Sequence, residues 1–106
     1  MRRIASHYIY WQRWYHLHYV ELDDAGCLVG VFPLEKEIAS TEFYDGALIL
    51  VPDDCPPSEA FDEQWLKASD RVGGSSPVGV YLLTGITPTA ELGTYHRSGD
   101  CHVKRL

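Results

Sequence analysis

The 106-residue chain lacks any long apolar run and any catalytic or metal-binding motif of high specificity. No segment approaches the roughly 20 apolar residues that span a bilayer, and the basic amino end is followed by no apolar signal-peptide core. The patterns CxxC, HExxH and the phosphate loop do not occur. Three cysteines without an export signal favour reduced thiols. The sequence therefore predicts a cytoplasmic protein with no membrane partner.

Basic residues are scarce in the middle of the chain. Residues 21–70 contain thirteen acidic and two basic side chains, within a chain whose net charge is −6. Because a nucleic-acid backbone binds to basic surfaces, this distribution predicts no nucleic-acid partner. An acidic segment is typical of a solvated surface that keeps a small protein soluble. A protein partner with complementary charge is the alternative.

Aromatic residues are abundant, and those near the amino end mark the clearest structural element. Residues 15–22 alternate in the period-two pattern of a strand rich in Tyr and Val. Asp23-Asp24-Ala25-Gly26 then predicts a turn. The return strand over residues 27–32 is apolar on both faces, which predicts a central strand covered on both sides. Pro33 ends this strand because it cannot donate a ladder hydrogen bond.

The remaining pattern favours strands with one helix. Ser58 resembles a helix N-cap, and Phe61, Trp65 and Ala68 recur at helical spacing. Turns are predicted where Gly or Pro follows polar residues. The further predictions are strands over residues 2–11, 47–51, 78–84 and 101–106, turns at 12–14, 44–46 and 98–100, a short helix or a loop in 34–43, and a helical turn starting at Thr87-Pro88.

These elements predict one β-rich domain over residues 1–106, since this length is near the common size of a domain. The predicted fold class is mainly β with a minor α part. The architecture is a small β-sandwich or a half-open barrel, with one helix around residues 59–70 packed through Phe61 and Trp65.

A histidine pair is the strongest candidate for a metal site. His16 and His18 are two residues apart, so in a regular strand their rings project from one face. Zinc accepts two such nitrogens when other residues complete the coordination, and Cys101, His102 or carboxylates are candidates for this. Two partly exposed histidines on a sheet surface are the more common outcome of this pattern. No cofactor is predicted, with zinc as the alternative.

Thiols and aromatic residues supply two further candidates. Cys27, Cys55 and Cys101 include a possible nucleophile, and Cys55 precedes two prolines in a predicted exposed loop, but no thiol-enzyme pattern surrounds it. An aromatic set could form a stacking or interaction surface, although a sheet core with cross-strand pairs is the more common use of such residues. This set consists of Tyr8, Tyr10, Trp11, Trp14, Tyr15 and Tyr19.

The order of segments over residues 8–52 resembles the start of metal-dependent amidohydrolases. The segments are a strand, the VELDDAG turn, the CLVGVFPL strand, a polar stretch and YDGALILVP. In that family a strand pair around a D-x-x-G turn helps to build a small β-sandwich beside the catalytic barrel. The family's H-x-H metal motif follows this region, whereas here His16 and His18 precede the turn. About 54 residues remain after residue 52, far fewer than the roughly 200 that a barrel needs.

The resemblance therefore implies a free-standing sandwich domain without its enzyme, and it assigns no catalytic residue. The expected function is a non-catalytic accessory or protein-interaction domain, with an amidohydrolase-like enzyme or a second copy of the chain as its partner. Exposed strand edges or the aromatic face would make the contact. The alternative is a small metal- or ligand-binding protein that uses His16 and His18.

Overall fold

The structure, a computed structural model, describes residues 2–34, 41–53, 63–88 and 95–106, with side chains described for 63–86 and 102–106 in the last two ranges. The predictions for Cys55, Ser58 and Phe61 lie outside the described residues. The elements are β1 (Arg2–Tyr10), β2 (Trp14–Leu22), β3 (Leu28–Pro33), β4 (Thr41–Pro52), α1 (Glu63–Ser69), β5 (Val78–Pro88) and β6 (Tyr95–Arg105).

The six strands form one sheet in the order β3-β2-β1-β4-β5-β6. β1 and β4 are parallel, and every other neighbouring pair is antiparallel. The sheet therefore consists of two antiparallel meanders, β1-β2-β3 and β4-β5-β6, that meet along one parallel seam. This confirms the mainly β class and the packed helix that the sequence predicts.

The two meanders also meet at the start of β3. Cys27 forms an isolated bridge with Pro77. Leu28 N donates to Ser76 O at 2.9 Å, and Ser75 N donates to Leu28 O at 2.8 Å. Because β3 and β5 lie far apart in the strand order, this contact requires the sheet to curl. The result is the half-open barrel form of the predicted architecture.

Two clusters of apolar side chains fill the two faces of the curled sheet. Leu48 and Leu50 of β4 belong to the cluster on the inner face, whereas Ile49 and Val51 belong to the cluster beneath α1 on the outer face. Trp65 of α1 is 1% exposed and packs edge-on against Tyr81, with ring centroids 4.9 Å apart. Residues 47–51 of β4 are therefore buried on both faces.

The predicted hairpin of β2 and β3 is confirmed. Asp23 Oδ1 accepts hydrogen bonds from Ala25 N and Cys27 N, each at 2.9 Å. Gly26 has φ +81°, a conformation that glycine adopts without a side-chain clash. The side-chain and backbone chemistry expected of the Asp23–Gly26 turn therefore sets the register of the hairpin.

The predicted central position of β3 is wrong, because β3 is an edge strand. Val29 is 43% exposed and Phe32 is 37% exposed. An apolar strand is not necessarily covered on both faces, and here part of the outer face next to β3 carries no packing element among the described residues.

Two predicted turns are continuous strand in the structure, since residues 44–46 lie within β4 and residues 98–100 lie within β6. Thr87-Pro88 ends β5, and the helical turn predicted to start there would continue outside the described residues. In β4, Asp45 and Gly46 together face one residue of β1, and Gly46 has φ +134°. Glycine serves a β-bulge as readily as a turn, so the same sequence signal fits both.

Irregular residues form a line across the strands. Leu17 of β2 has φ +54°, Gly46 forms the bulge of β4, and Gly85 of β5 has φ +80° at a register shift. Ile4 and Ile9 of β1 both reach the inner cluster although they are five residues apart. Because regular alternation would place them on opposite faces, the side chains of β1 switch faces along this line.

No helix among the described residues is long and apolar enough to span a membrane.

Candidate functional site

Three exposed or partly exposed aromatic residues form a strip on the outer face, away from α1. Phe32, Tyr19 and Phe43 pair in register across the sheet through Ala5 of β1. Their chain neighbours on the inner side belong to or pack against the inner cluster, so the three rings project outward. We call Phe32, Tyr19 and Phe43 the aromatic strip. The inner-side neighbours are Val31, Val20 and Tyr44.

The aromatic strip is exposed, yet its base is closed. Phe43 is 53% exposed and Phe32 is 37% exposed, whereas Ala5 between Tyr19 and Phe43 is fully buried. The rings of Tyr19 and Phe32 lie 5.6 Å apart at a tilt of 39°. The strip is therefore an apolar surface in which Tyr19 and Phe32 contact each other, and the buried Ala5 lies between them and Phe43.

Charged groups flank the aromatic strip on both sides. Arg3 Nε lies 2.8 Å from Glu21 Oε1 in the next row of the outer face. On the other side, His7 Nε2 lies 3.3 Å from Asp45 Oδ1, and the His7 ring meets Phe43 edge-on at 5.3 Å. An apolar centre with a polar rim is the usual arrangement of a protein interface.

The predicted aromatic set is divided between core and surface, and Tyr19 is its member in the aromatic strip. Trp14 is 4% exposed, and Tyr8 and Tyr10 pack half-buried against the cluster beneath α1. Burial raises the pKa of Tyr10, and the negative charge of Asp70 raises it further.

The other two members of the set help to pack the β1–β2 turn and the inner face. Trp11 Nε1 donates to Val72 O at 2.9 Å, which ties the turn to the segment after α1. Tyr15 packs against the inner cluster, with the Arg13 guanidinium 4.6 Å above its ring. Both side chains are half-buried, so they are less available to a partner than Phe43.

His16 and His18 lie on either side of the irregular residue Leu17. The His16 ring stacks on Tyr8, which packs against the cluster beneath α1, at 5.0 Å. The His18 ring contacts Tyr15, which packs against the inner cluster, at 4.9 Å. Leu17 thus interrupts the alternation from which a shared face is predicted. Over the residues that the structure describes, no three His, Cys, Asp or Glu side chains come together as metal ligands. Zinc binding stays a prediction.

The thiols are not brought together with a base by any described contact. Cys27 is a free, partly buried thiol beside the Asp23–Gly26 turn. For Cys101 the structure describes the backbone of β6 alone, and Cys55 lies outside the described residues. The prediction of a thiol nucleophile therefore rests on the sequence.

A cleft at the mouth of the barrel contains charged groups that are paired with one another. Arg105 forms an ion pair with Asp53 in the cleft wall. Arg2, also in the wall, binds both carboxylate oxygens of Glu42, with Nε 2.6 Å from Oε2. The Arg2 hydrogen bond lowers the pKa of Glu42. These pairs stabilise the fold and leave neither arginine without a carboxylate.

The sequence reasoning missed two members of the aromatic strip, Phe32 and Phe43. Phe32 was assigned to a fully covered strand, and Phe43 lies in the stretch predicted as a short helix or a loop. The segment Thr41-Glu42-Phe43-Tyr44-Asp45 has no clean period of two, since each face of a strand there would carry both polar and aromatic residues. The sequence therefore gives no signal that places Phe43 on an exposed strand face.

Comparison with known proteins gives no relationship from which a site could be transferred. The resemblance to the amidohydrolase sandwich therefore stays a prediction from residues 8–52. The chain matches no protein-family model, no curated protein and no solved structure.

Proposed function

We propose that this chain is a non-catalytic protein-interaction domain whose contact surface is the aromatic strip. The observation that supports the proposal is the exposure of Phe43 and Phe32, at 53% and 37%, on an ordered part of the outer face. Aromatic side chains are enriched at the centres of protein interfaces because they bury a large area and lose little conformational entropy.

The surroundings of the aromatic strip favour a protein partner of mixed polarity. The Arg3–Glu21 pair and the His7–Asp45 pair offer charges of both signs at the rim. A contact over Phe43 would bury the ring, whose exposure now has a cost in water. The apolar centre contributes affinity for the partner, and the charges of both signs at the rim orient it.

The partner that the sequence resemblance suggests is an amidohydrolase-like enzyme in the cytoplasm. In this proposal the domain acts as a separate accessory subunit. The resemblance over residues 8–52 supports that choice, and the aromatic strip lies within those residues. The two parts of the proposal are separable, since the strip can bind a protein of another class.

A comparison of bait proteins tests the proposal. Tagged wild-type chain and the double variant Phe32→Ser, Phe43→Ser are incubated with lysate of the native host, and bound proteins are quantified by mass spectrometry. We expect one stoichiometric partner to be retained by the wild type and reduced at least tenfold with the double variant. Lys67→Ser, at an exposed position of α1, is the control and should retain the partner.

Equal recovery by wild type and double variant would contradict the role of the aromatic strip. A partner that is lost with the double variant but is no amidohydrolase-like enzyme would support the interaction function and reject the enzyme. Melting curves of all variants check that the folds are comparable, since exposed side chains contribute little to stability.

A further inference from the structure

The edge of β6 away from β5 pairs with no other strand among the described residues, and it presents backbone donors and acceptors. We call it the free edge of β6. Leu106 N donates to Val80 O at 2.9 Å, which directs the Leu106 amide toward β5. The register pairs Lys104 with Leu82 and continues without a shift from Arg105 to Val103. Since amide directions alternate along a strand, Lys104 also faces β5, whereas Val103 and Arg105 face away. Each of these two residues offers one N–H and one C=O.

The outer edge of β3 presents one donor, against the two of Val103 and Arg105 in β6. Leu34 N donates to Leu17 O at 2.9 Å, so by alternation Val31 and Pro33 face away from β2. Pro33 has no N–H. Leu28 already bonds Ser75 and Ser76, and because its C=O points outward, the next amide, that of Val29, points toward β2. Within Leu28–Pro33 the free outward donor is Val31 N–H.

The described end of β6 carries two cationic side chains, Lys104 and Arg105. His102, Lys104 and Arg105 are exposed. Over Tyr95–Arg105 the sequence contains Arg97, Lys104 and Arg105 against one acidic residue, Asp100, in a chain of net charge −6. Arg105 pairs with Asp53, and Lys104 has no carboxylate partner among the described residues. Two copies of this edge would bring like charges together, which disfavours self-pairing.

We propose that the free edge of β6 binds an extended acidic segment of a protein partner, which adds to the sheet as a further strand. The backbone groups of Val103 and Arg105 pair with those of the added segment. Acidic side chains at every second position of that segment then lie beside Lys104 and His102. This site is separate from the aromatic strip, so it does not depend on the function proposed above.

The backbone geometry favours a peptide over a nucleic acid as the occupant. A phosphate backbone accepts hydrogen bonds but offers no donor for the C=O groups of Val103 and Arg105. An added strand satisfies both kinds of group at once. Arginine and lysine contacts alone would bind either polyanion, so the test includes both.

The experiment is a titration of the full-length ¹⁵N-labelled chain followed by NMR. The probe is a capped nonapeptide, Ser-Glu-Val-Glu-Val-Glu-Val-Glu-Ser, and the matched control replaces each Glu by Lys. We expect shifts centred on the amides of Val103 and Arg105, slower hydrogen exchange at both, and no saturable change with the lysine peptide. A glutamine version separates strand addition from charge and should bind more weakly than the glutamate peptide.

Two charge variants sharpen the result. Lys104→Glu should weaken binding of the acidic peptide by about fivefold, because a favourable surface contact becomes a repulsive one. Lys67→Glu, which makes the same charge change on α1, should leave the affinity unchanged. Both variants change exposed side chains, so comparable melting curves are expected.

Several outcomes would overturn the proposal. These are unchanged β6 amides at 1 mM peptide (roughly the weakest affinity of interest), shifts centred on residues 29–33, or equal loss of affinity with Lys67→Glu. Tighter binding of a single-stranded oligonucleotide at the same amides would assign the edge to nucleic acid instead. Loss of the partner captured through the aromatic strip would leave this result unaffected, since the two surfaces use different residues.

Discussion

The two edges of one sheet are built in opposite ways. β3 is short, uncharged and fastened at its start, where Leu28 bonds Ser75 and Ser76. β6 is eleven residues long and carries Lys104 and Arg105 near its end. Edge strands need protection against uncontrolled pairing. β3 achieves it by removing donors, whereas β6 retains its donors and relies on charge, and a charged edge can still accept a complementary strand.

The largest expected effect removes the buried side chain at the start of β3. Leu28 is 1% exposed, so Leu28→Ala should lower the free energy of unfolding by about 3 kcal/mol through lost burial and a residual cavity. Val103→Ala at a half-buried site in β6 should lower it by about 1 kcal/mol. Urea unfolding of the three proteins measures both values. Similar losses at the two sites would contradict this difference in burial between the two edge strands.

Hydrogen exchange compares the edges without any substitution. Leu28 N–H bonds Ser76 O, and Lys104 N–H faces β5, whereas the N–H groups of Val103 and Arg105 face away from β5 and meet no partner among the described residues. Native-state exchange followed by NMR should be at least about a hundredfold slower at Leu28 and Lys104 than at Val103. Comparable rates at Lys104 and Val103 would contradict the assigned direction of the β6 amides.

Removal of the Lys104 charge tests whether charge prevents the β6 edge from pairing with a second copy of the chain. Lys104→Val should raise self-association measured by light scattering, because donor-rich backbone then lies beside an apolar side chain. The free energy of unfolding should change by less than about 0.5 kcal/mol. Lys67→Val, the same substitution at an exposed site of α1, is the control and should leave scattering unchanged. An equal increase with both variants would show that the lost charge alone, and not the β6 edge, causes self-association.

The smallest expected change in stability concerns the Arg2–Glu42 ion pair. This pair lies in neither edge strand, so it serves as a reference. The Arg2 hydrogen bond lowers the pKa of Glu42 below its usual value of 4.5. The pair therefore stabilises the fold fully above pH 4.5 and loses this contribution as the pH falls through the folded-state pKa. At pH 7, Glu42→Gln should be less stable than wild type by under about 1 kcal/mol, since both side chains are partly exposed.

Chemical denaturation at pH 7 and pH 3 checks this expectation. The difference in the free energy of unfolding between wild type and Glu42→Gln should be smaller at pH 3 than at pH 7. A difference that widens on acidification would show that the carboxylate destabilises the folded state. Arg105→Gln provides a comparison at the β6 edge, where the Asp53 pair is similarly exposed.

The sequence predicts local features of this fold better than distant ones. The turn at Asp23–Gly26 is predicted because Asp23 and Gly26 determine it within five residues. The parallel pairing of β1 with β4 joins segments about forty residues apart, and no local pattern encodes that choice. The edge position of β3 is missed for the same reason, since it depends on which strands take the other places.

The aromatic strip, too, depends on distant contacts more than on local sequence. The density of aromatic residues predicts Tyr19 as part of an interaction surface. Trp14 lies in the same aromatic segment, yet it is buried in the core. The surroundings of Phe43 on the outer face include Ala5 and Tyr19, which come from other strands. The sequence next to Phe43 does not specify these neighbours, so it does not specify the exposure of the ring. The sequence predicts a turn at Gly46 because glycine tolerates positive φ. Positive φ occurs both where a chain reverses and where a strand continues through a bulge.

The parallel seam makes this molecule a natural candidate for fragment complementation. Each meander is contiguous in sequence, and the described backbone bonds between them are those of β1 with β4 and those around Cys27 and Pro77. A cut between β3 and β4 would therefore sever no hydrogen-bonded pair within either meander. Residues 1–40 and 41–106, expressed as two peptides, would carry complementary halves of one core, and their reassembly could report on the proximity of proteins fused to them.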